Sequence, residues 1–435
     1  MRTELRERCT VKDFVTLDAS SLEKKYVSLL DSISRMEPQL HVFEEDIRPD
    51  LIFAELKAQI IKFAGKTRPA LFGVPVGVKG IYRTEGYHIR CGSLLPKTLF
   101  EGAEAEIVSN LKELGAVVLG ITATSEFAGA EPAATVNPFD FAHTPGGSSS
   151  GSAAGVCAGF FPVALGTQTM GSITRPASYC GVYGFKPSQS SLSAEGVVPY
   201  SISVDQPGFF TSCVEDLKKV FTALQPLCRQ SSSEIHSLRI GVVRGSYLSF
   251  FDKETLDWFN AINDLLTVRL GEISLIPIDP IEEPEEIIRN HKKMISYEAA
   301  LFHKEYIKVY GHLYRNQTVS MIRSGQDVVP QMVNAARMSM SDLRRKVMQR
   351  MEEYNLDCIM TPATANSAPL GLSSTGDPAS IIPWTHAGLP TIALPTPIYL
   401  NGMPQGLQLI GRFRDDVHLC VCSEFIAKLL SSDRD

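Results

Sequence analysis

Serine and glycine crowd residues 146–176 more densely than any ordinary core strand or helix requires, and the run closes on Gly171-Ser172-Ile173-Thr174-Arg175-Pro176. Glycine lets backbone approach a ligand closely and adopt positive φ, while a serine hydroxyl can act as nucleophile, relay or cap. The stretch therefore predicts an active-site wall. Two serines stand out by position: Ser148, directly after Gly146-Gly147, and Ser172, directly after Gly171 and 24 positions further on. Upstream, Leu71-Phe72-Gly73-Val74-Pro75-Val76-Gly77-Val78-Lys79 is an apolar run that ends on a lysine. It reads as a buried strand delivering one amine to its tip, and a desolvated lysine is a candidate base.

Around this block, short β-branched runs alternate with helical periodicity, which predicts an α/β fold with one sheet covered by helices. Strands are expected up to Lys79 and over residues 116–120, 163–166, 239–243, 273–276, 357–360, 391–394 and 407–410, with helices over 105–114 and 150–159. Residues 20–35 and 50–64 form an expected N-terminal helical layer within residues 1–68. The second helix carries Phe53, Leu56, Ile60 and Phe63 on one face, with Asp50 as N-cap and Gly65 as stop. Residues 69–225 would hold the catalytic core, and 280–355 a helical region beside the substrate pocket. The charges there, among them Glu282, Glu283, Glu285, Glu286, Arg344, Arg345 and Lys346, read first as solvated helix surface. No repeat or low-complexity linker interrupts the chain, and the polar stretch 230–237 is too short to part domains. A single domain over 1–435 is expected.

Composition excludes several classes. Acidic residues (48) outnumber basic ones (42), giving a net charge of −6 with no block of lysine or arginine, so binding to nucleic acid through phosphate neutralisation is not expected. The charged start, Met1-Arg2-Thr3-Glu4-Leu5-Arg6-Glu7-Arg8, has no apolar run behind it, which argues against a secretory signal or membrane span and for a cytoplasmic protein. Nine scattered cysteines read as reduced core thiols, and the nine histidines show no zinc-ligand spacing beside them. No metal or cofactor is expected.

The chain resembles the amidase signature family, whose hallmark is a Gly-Gly-Ser-Ser-Gly-rich block, a nucleophilic serine 24 residues on, and an earlier Gly-Val-Pro-Val-x-Val-Lys strand. The resemblance extends through Leu40-His41-Val42-Phe43, Ala116-Val117-Val118-Leu119-Gly120, Ser125-Glu126-Phe127-Ala128, Asn137-Pro138, Cys180-Gly181-Val182-Tyr183-Gly184-Phe185-Lys186-Pro187 and Gly402-Met403-Pro404-Gln405-Gly406-Leu407-Gln408-Leu409-Ile410-Gly411. It implies a single large mixed β-sheet between helical layers, and a Ser-cisSer-Lys amidohydrolase that acts through an acyl-enzyme. By this resemblance Ser172 is the nucleophile, Ser148 the bridging serine and Lys79 the base. The backbone amides of Thr169, Met170, Gly171 and Ser172 are then oxyanion-hole candidates.

For Lys79 to serve as a base its pKa must fall from about 10.4 to roughly 7–8, a differential destabilisation of the ammonium of about 4 kcal/mol that burial can supply. Ser149, Ser150 and Ser152 are as apt to cap the following helix as to catalyse. Arg175 sits where its donor fork could hold a substrate carboxylate, although a structural arginine bonding backbone carbonyls is the stronger of the two readings. Tyr183, Trp384 and His386 flank apolar strands, where core packing outweighs a place in the pocket wall. The family commonly carries an acid at Gln168, glycine or alanine at Met170, aspartate at Gly80 and arginine at Thr174, so these four are departures.

The expected substrate is a small polar amide or ureide, with a carboxylate if Arg175 is a clamp, and self-association into a homodimer is the oligomeric question to check. Two other readings remain open. One is the amidase subunit of a glutamine-dependent amidotransferase working with partner subunits. The other is a non-catalytic amide-binding relative, which Gln168 and Met170 suggest and retention of Lys79, Ser148 and Ser172 opposes. A phosphate-binding loop is disfavoured because no G-x-x-x-x-G-K-[ST] occurs.

Overall fold

The computed structural model describes residues 8–228, 235–267 and 272–431. Most of the charged chain start and most of the 230–237 stretch lie outside the described residues.

The α/β alternation closes into one ten-stranded sheet: β1 (Pro75–Lys79), β2 (Val117–Thr122), β3 (Val163–Gln168), β4 (Tyr183–Lys186), β5 (Gln206–Thr211), β6 (Leu238–Val243), β7 (Ile273–Ile278), β8 (Cys358–Pro362), β9 (Thr391–Pro395) and β10 (Gly406–Ile410). Spatial order is β2-β1-β3-β5-β4-β9-β10-β8-β6-β7. The sheet is mixed: β2, β1 and β3 run parallel, the centre from β3 through β8 is antiparallel, and β8, β6 and β7 are parallel again. Strands β1, β2 and β3 are buried along their whole length, which is why they read as apolar runs without alternation.

Strands β4 and β5 have no counterpart in the sequence reading. The first is only four residues long, and the second contains Pro207 and Gly208. Both nevertheless join the parallel third of the sheet to the rest, through Gln168↔Gln206 and Gly184↔Ala393.

Helices surround the sheet. The N-terminal layer comprises Ala19–Leu40, capped by Asp18 accepting from the Ser21 amide, and Pro49–Lys62, which packs on β2. Asp50 is not the N-cap of that second helix. Pro49 already occupies its first turn, since proline needs no amide partner there, and Asp50 instead pairs with Arg48 at 2.7 Å. On the other flank Asn316–Gln326 and Pro330–Glu353 each pack on Pro284–His303, and the region 280–355 is largely helical. No described helix is long and apolar enough to cross a membrane.

The helix Ser150–Cys157 packs against β3, β1 and β2 and the segments beside them. A side chain at Gly151 would collide with the Val42 carbonyl, and one at Gly155 with the Phe161 ring. The Gly146–Ser149 loop, which precedes the helix, meets the end of β1 through Ser148 and Lys79 and the end of β3 through Ser149 and Thr167.

Candidate active site

The carboxyl ends of three parallel strands converge on one place, the edge where open α/β sheets commonly bind ligands. Lys79 ends β1 and Gln168 ends β3, and the register Val76↔Val163, Gly77↔Ala164 carries Lys79 level with the last residues of β3, next to Thr167. The Lys79 side chain is wholly buried, and its Nζ lies 2.8 Å from Ser148 Oγ and 2.9 Å from Thr167 Oγ1. Burial lowers its pKa to about 7, against the opposing fields of Asp205 and Glu44.

Ser148 follows a cis peptide from Gly147 and is itself fully buried. Its carbonyl accepts from the Ser125 amide at 3.1 Å. The next serines do not cap the helix. Ser150 Oγ donates to the Gly146 carbonyl at 2.7 Å and Ser152 Oγ to the Leu165 carbonyl at 2.8 Å, while Ser149 Oγ reaches the Thr167 carbonyl at 3.4 Å. In a glycine-rich loop buried this deeply, the hydroxyls serve buried carbonyls before helix amides.

Ser172 stands on the turn after β3, 5 % exposed, and its hydroxyl bonds to no group among the described residues. The structure thus joins Lys79 and Ser148 directly and brings no described bond between Ser148 and Ser172. The turn itself is tied to the Ser148 loop three residues on, where Arg175 Nη2 donates to the Gly147 carbonyl at 2.7 Å and to Thr375 Oγ1 at 3.1 Å. The backbone-bonding reading of Arg175 is therefore correct for Nη2. Its Nε and Nη1 are buried without a partner among the described residues, and no carboxylate pairs with it there.

The turn's amides divide into two sets. Gln168 Oε1 accepts from the amides of Ile173 and Thr174, both at 2.9 Å. The amides of Thr169, Met170, Gly171 and Ser172 meet no acceptor among the described residues. Thr169 Oγ1 donates to Asp205 Oδ1 at 2.6 Å, and the Met170 carbonyl accepts from Thr385 Oγ1 at 2.8 Å.

These contacts explain three departures. Gln168 takes both helix amides as an acid could, and its Nε2 also donates to Thr385 Oγ1 at 3.0 Å, which a carboxylate could not do. At Gly80 a side chain would collide with the Glu44 carboxylate, so an acid from elsewhere in the chain fills that space beside Lys79; it accepts from the Gly92 amide at 2.9 Å. Met170 packs on an apolar cluster containing Tyr200, Met294, Val333 and Met340, fastening the turn to the helices of the 280–355 region. Nothing in the structure explains threonine at position 174, whose hydroxyl is buried without a partner among the described residues.

Trp384 and His386 are core residues: the indole donates to Tyr247 Oη at 2.8 Å, and both rings are fully buried. Tyr183 pairs with Thr211 at the end of β5 remote from Gln206, where it lines a cavity of about 340 Å³ with Arg8 and Phe139. Sequence reading missed Thr167, Glu44, Asp205 and His291. Thr167 alone had a signal, its place one step before the end of the strand beside Lys79.

A ten-stranded mixed sheet with helices around it carries a dry lysine–serine pair at the carboxyl ends of its parallel strands, and known proteins place the chain among amide-hydrolysing enzymes. The amidase family profile matches residues 27–420, and the chain belongs to that family. It is 30 % identical to a component of the glutamyl-tRNA(Gln) amidotransferase of Gloeothece citriformis, over 89 % of this chain and 90 % of that protein. Among solved structures, one described as an unexpected vestigial protein complex revealing the origins of an s-triazine catabolic enzyme superposes with a TM-score of 0.83 at 27 % identity, covering 96 % of both chains. A crystal structure of an amidase gives 0.83 at 25 % identity, over 95 % of this chain and 99 % of the other.

Proposed function

We propose that the chain hydrolyses the carbon–nitrogen bond of a small polar amide or ureide through Ser172, Ser148 and Lys79, with a carboxylate on the substrate where Arg175 acts as a clamp. The observation that carries the reading is the buried Lys79 Nζ at 2.8 Å from Ser148 Oγ, with its pKa lowered to about 7. A neutral amine so placed has a lone pair for the Ser148 proton. Ser148 Oγ in turn takes the proton of Ser172 as that oxygen attacks the carbonyl carbon. Negative charge then develops on the carbonyl oxygen, and the uncommitted amides of Thr169, Met170, Gly171 and Ser172 are the donors proposed to receive it. Collapse of the tetrahedral species breaks the carbon–nitrogen bond, and the relay run backwards protonates the departing amine. Water, activated by the same relay, then cleaves the acyl-enzyme ester.

Arg175 supports the carboxylate. Its two unpartnered, buried nitrogens, Nε and Nη1, are donors without an acceptor among the described residues, and an anionic substrate group would supply one. Arg175→Lys should raise KM for carboxylate-bearing amides by about tenfold, the scale of one lost charge-assisted bond. An unchanged KM for every such amide would remove the clamp from the reading.

The main test is a fluorophosphonate probe. Mass spectrometry should find the adduct on Ser172 of the purified chain and none on Lys79→Ala. Labelling of neither form would favour a binding protein. Amides, ureides and anilides then define the substrate. The relatives that are components of a glutamyl-tRNA(Gln) amidotransferase favour a second reading, in which the chain releases ammonia from glutamine for a partner. A chain that hydrolyses simple amides alone at full rate would argue against it.

A further inference from the structure

Behind the Ser172 turn, side chains from three helices form a continuous hydrogen-bonded row. His291, on Pro284–His303, places Nε2 2.9 Å from the Thr169 carbonyl and Nδ1 3.1 Å from Nδ1 of His386, which ends Ile382–His386. His386 Nε2 in turn lies 2.8 Å from Oγ of Ser339, on Pro330–Glu353. Both imidazoles are fully buried, and burial lowers their pKa values to about 4 and about 3, so both are neutral near pH 7.

Neutral rings leave one arrangement of protons. A carbonyl only accepts, so His291 carries its proton on Nε2 and offers a lone pair at Nδ1. His386 must then carry its proton on Nδ1, and its Nε2 accepts from the Ser339 hydroxyl. The Ala336 carbonyl, 2.8 Å from Ser339 Oγ, competes for that hydroxyl proton but cannot reverse the row without charging a ring.

The consequence falls on the backbone. In a trans peptide the carbonyl and the following amide point in opposite directions. With its oxygen held by His291, the Thr169–Met170 peptide must turn the Met170 N–H away from that histidine. Thr385 does the same one peptide later, holding the Met170 carbonyl and turning the Gly171 N–H away. These are amides without an acceptor among the described residues.

We propose that His291 and His386 are positioning residues which, locked in complementary tautomers, hold the Thr169 carbonyl backwards so that the Met170 amide faces the reacting carbonyl oxygen. The inference rests on the reading of Ser172 as nucleophile. It concerns neither a proton donor to substrate nor a group that touches it.

The rate of fluorophosphonate labelling of the full chain tests this without a known substrate, because its limiting rate reports attack at phosphorus and its half-saturation reports binding. His291→Ala and His386→Leu should lower the limiting rate by about tenfold or more, below the 10² to 10³ of deleting a donor outright, and leave half-saturation within about threefold. His291→Gln keeps an N–H for Thr169, and His386→Asn keeps one for His291, so both should recover most of the loss. Melting midpoints separate this from unfolding. If His291→Ala does not fold, nitrogen-15 spectra of the wild-type imidazoles still decide: Nε2–H on His291 and Nδ1–H on His386 are required, and the opposite tautomers overturn the proposal. A folded His386→Leu that labels at the wild-type rate overturns it as well, as do conservative variants no faster than the deletions. Failure of the wild type to label would instead sink the Ser172 reading, and the positioning role with it.

Discussion

Two lysines of this chain are buried to the same degree and shifted alike, yet only one sits where a base could act. Lys79 is fully buried and Lys186 is 1 % exposed, and desolvation lowers the pKa of each to about 7. They differ in what surrounds the nitrogen. Lys79 Nζ meets two hydroxyls, on Ser148 and Thr167. Lys186 Nζ meets two main-chain carbonyls, Leu389 at 2.6 Å and Pro187 at 3.0 Å. A hydroxyl can give a proton to an amine lone pair, whereas a carbonyl can only accept from an ammonium or amine N–H. Lys186 therefore staples β4 to the segment before β9 in either protonation state and has no proton to collect. A depressed lysine pKa marks a buried site, and its hydrogen-bond partners decide whether that site can do chemistry.

Replacing each lysine by methionine is the strongest way to break the comparison. Lys79→Met should reduce the rate of Ser172 labelling by about 10³-fold, within the range for loss of a general base. Lys186→Met, measured on the folded fraction, should stay within about threefold of wild type, since no group of the Lys79 site bonds to it. Comparable losses in both variants would show that the hydroxyl partners do not set the Lys79 site apart.

The pH profile sharpens the same point. Because Lys79 must be neutral to accept a proton, labelling should rise about tenfold per pH unit below about pH 7 and level off above it. Asp205 and Glu44 both raise the lysine pKa by their charge. Asp205, with a pKa of about 6, carries its charge at that inflection, whereas burial lifts Glu44 to about 8 and leaves it mostly neutral there. Asp205→Asn should therefore move the inflection to lower pH more than Glu44→Gln does, while Lys186→Met leaves it in place. An inflection that follows Lys186 instead would reverse the two roles.

How much of the molecule is legible in its sequence divides along a physical line. The parallel strands β1, β2 and β3 announce themselves because burial on both faces demands unbroken apolar runs. Lys79 and Ser148 are legible because spacing along the chain carries them. Strand β5 is hidden by Pro207 and Gly208, which weaken any strand pattern and are held in place by neighbours on both sides. Glu44 filling the space at Gly80, and His291 reaching Thr169 from a helix more than a hundred residues on, are matters of packing between distant segments. No local pattern encodes them. Arg175 falls between the two cases: its position is legible, its partner on Gly147 is not.

The smallest expected effect concerns stability, and here the two lysines should behave alike. A lysine with a folded pKa of about 7 and an unfolded pKa of about 10.4 binds its proton more tightly in the unfolded chain. Between those values the unfolded state holds more protons, so unfolding free energy rises with pH, by up to about 1.4 kcal/mol per unit for each lysine. Below about pH 7 both states are protonated and the desolvation penalty is present in full. Denaturant titrations between pH 7 and 9, read as differences between wild type and variant so that the thiols of the unfolded chain, which ionise near about 8.5, cancel, should show wild type gaining on Lys79→Met and on Lys186→Met by similar slopes. A slope lost only in Lys79→Met would mean that Lys186 keeps its proton in the fold. Its two carbonyls would then favour the ammonium enough to offset burial, and the contrast between the sites would extend from hydrogen-bond partners to charge.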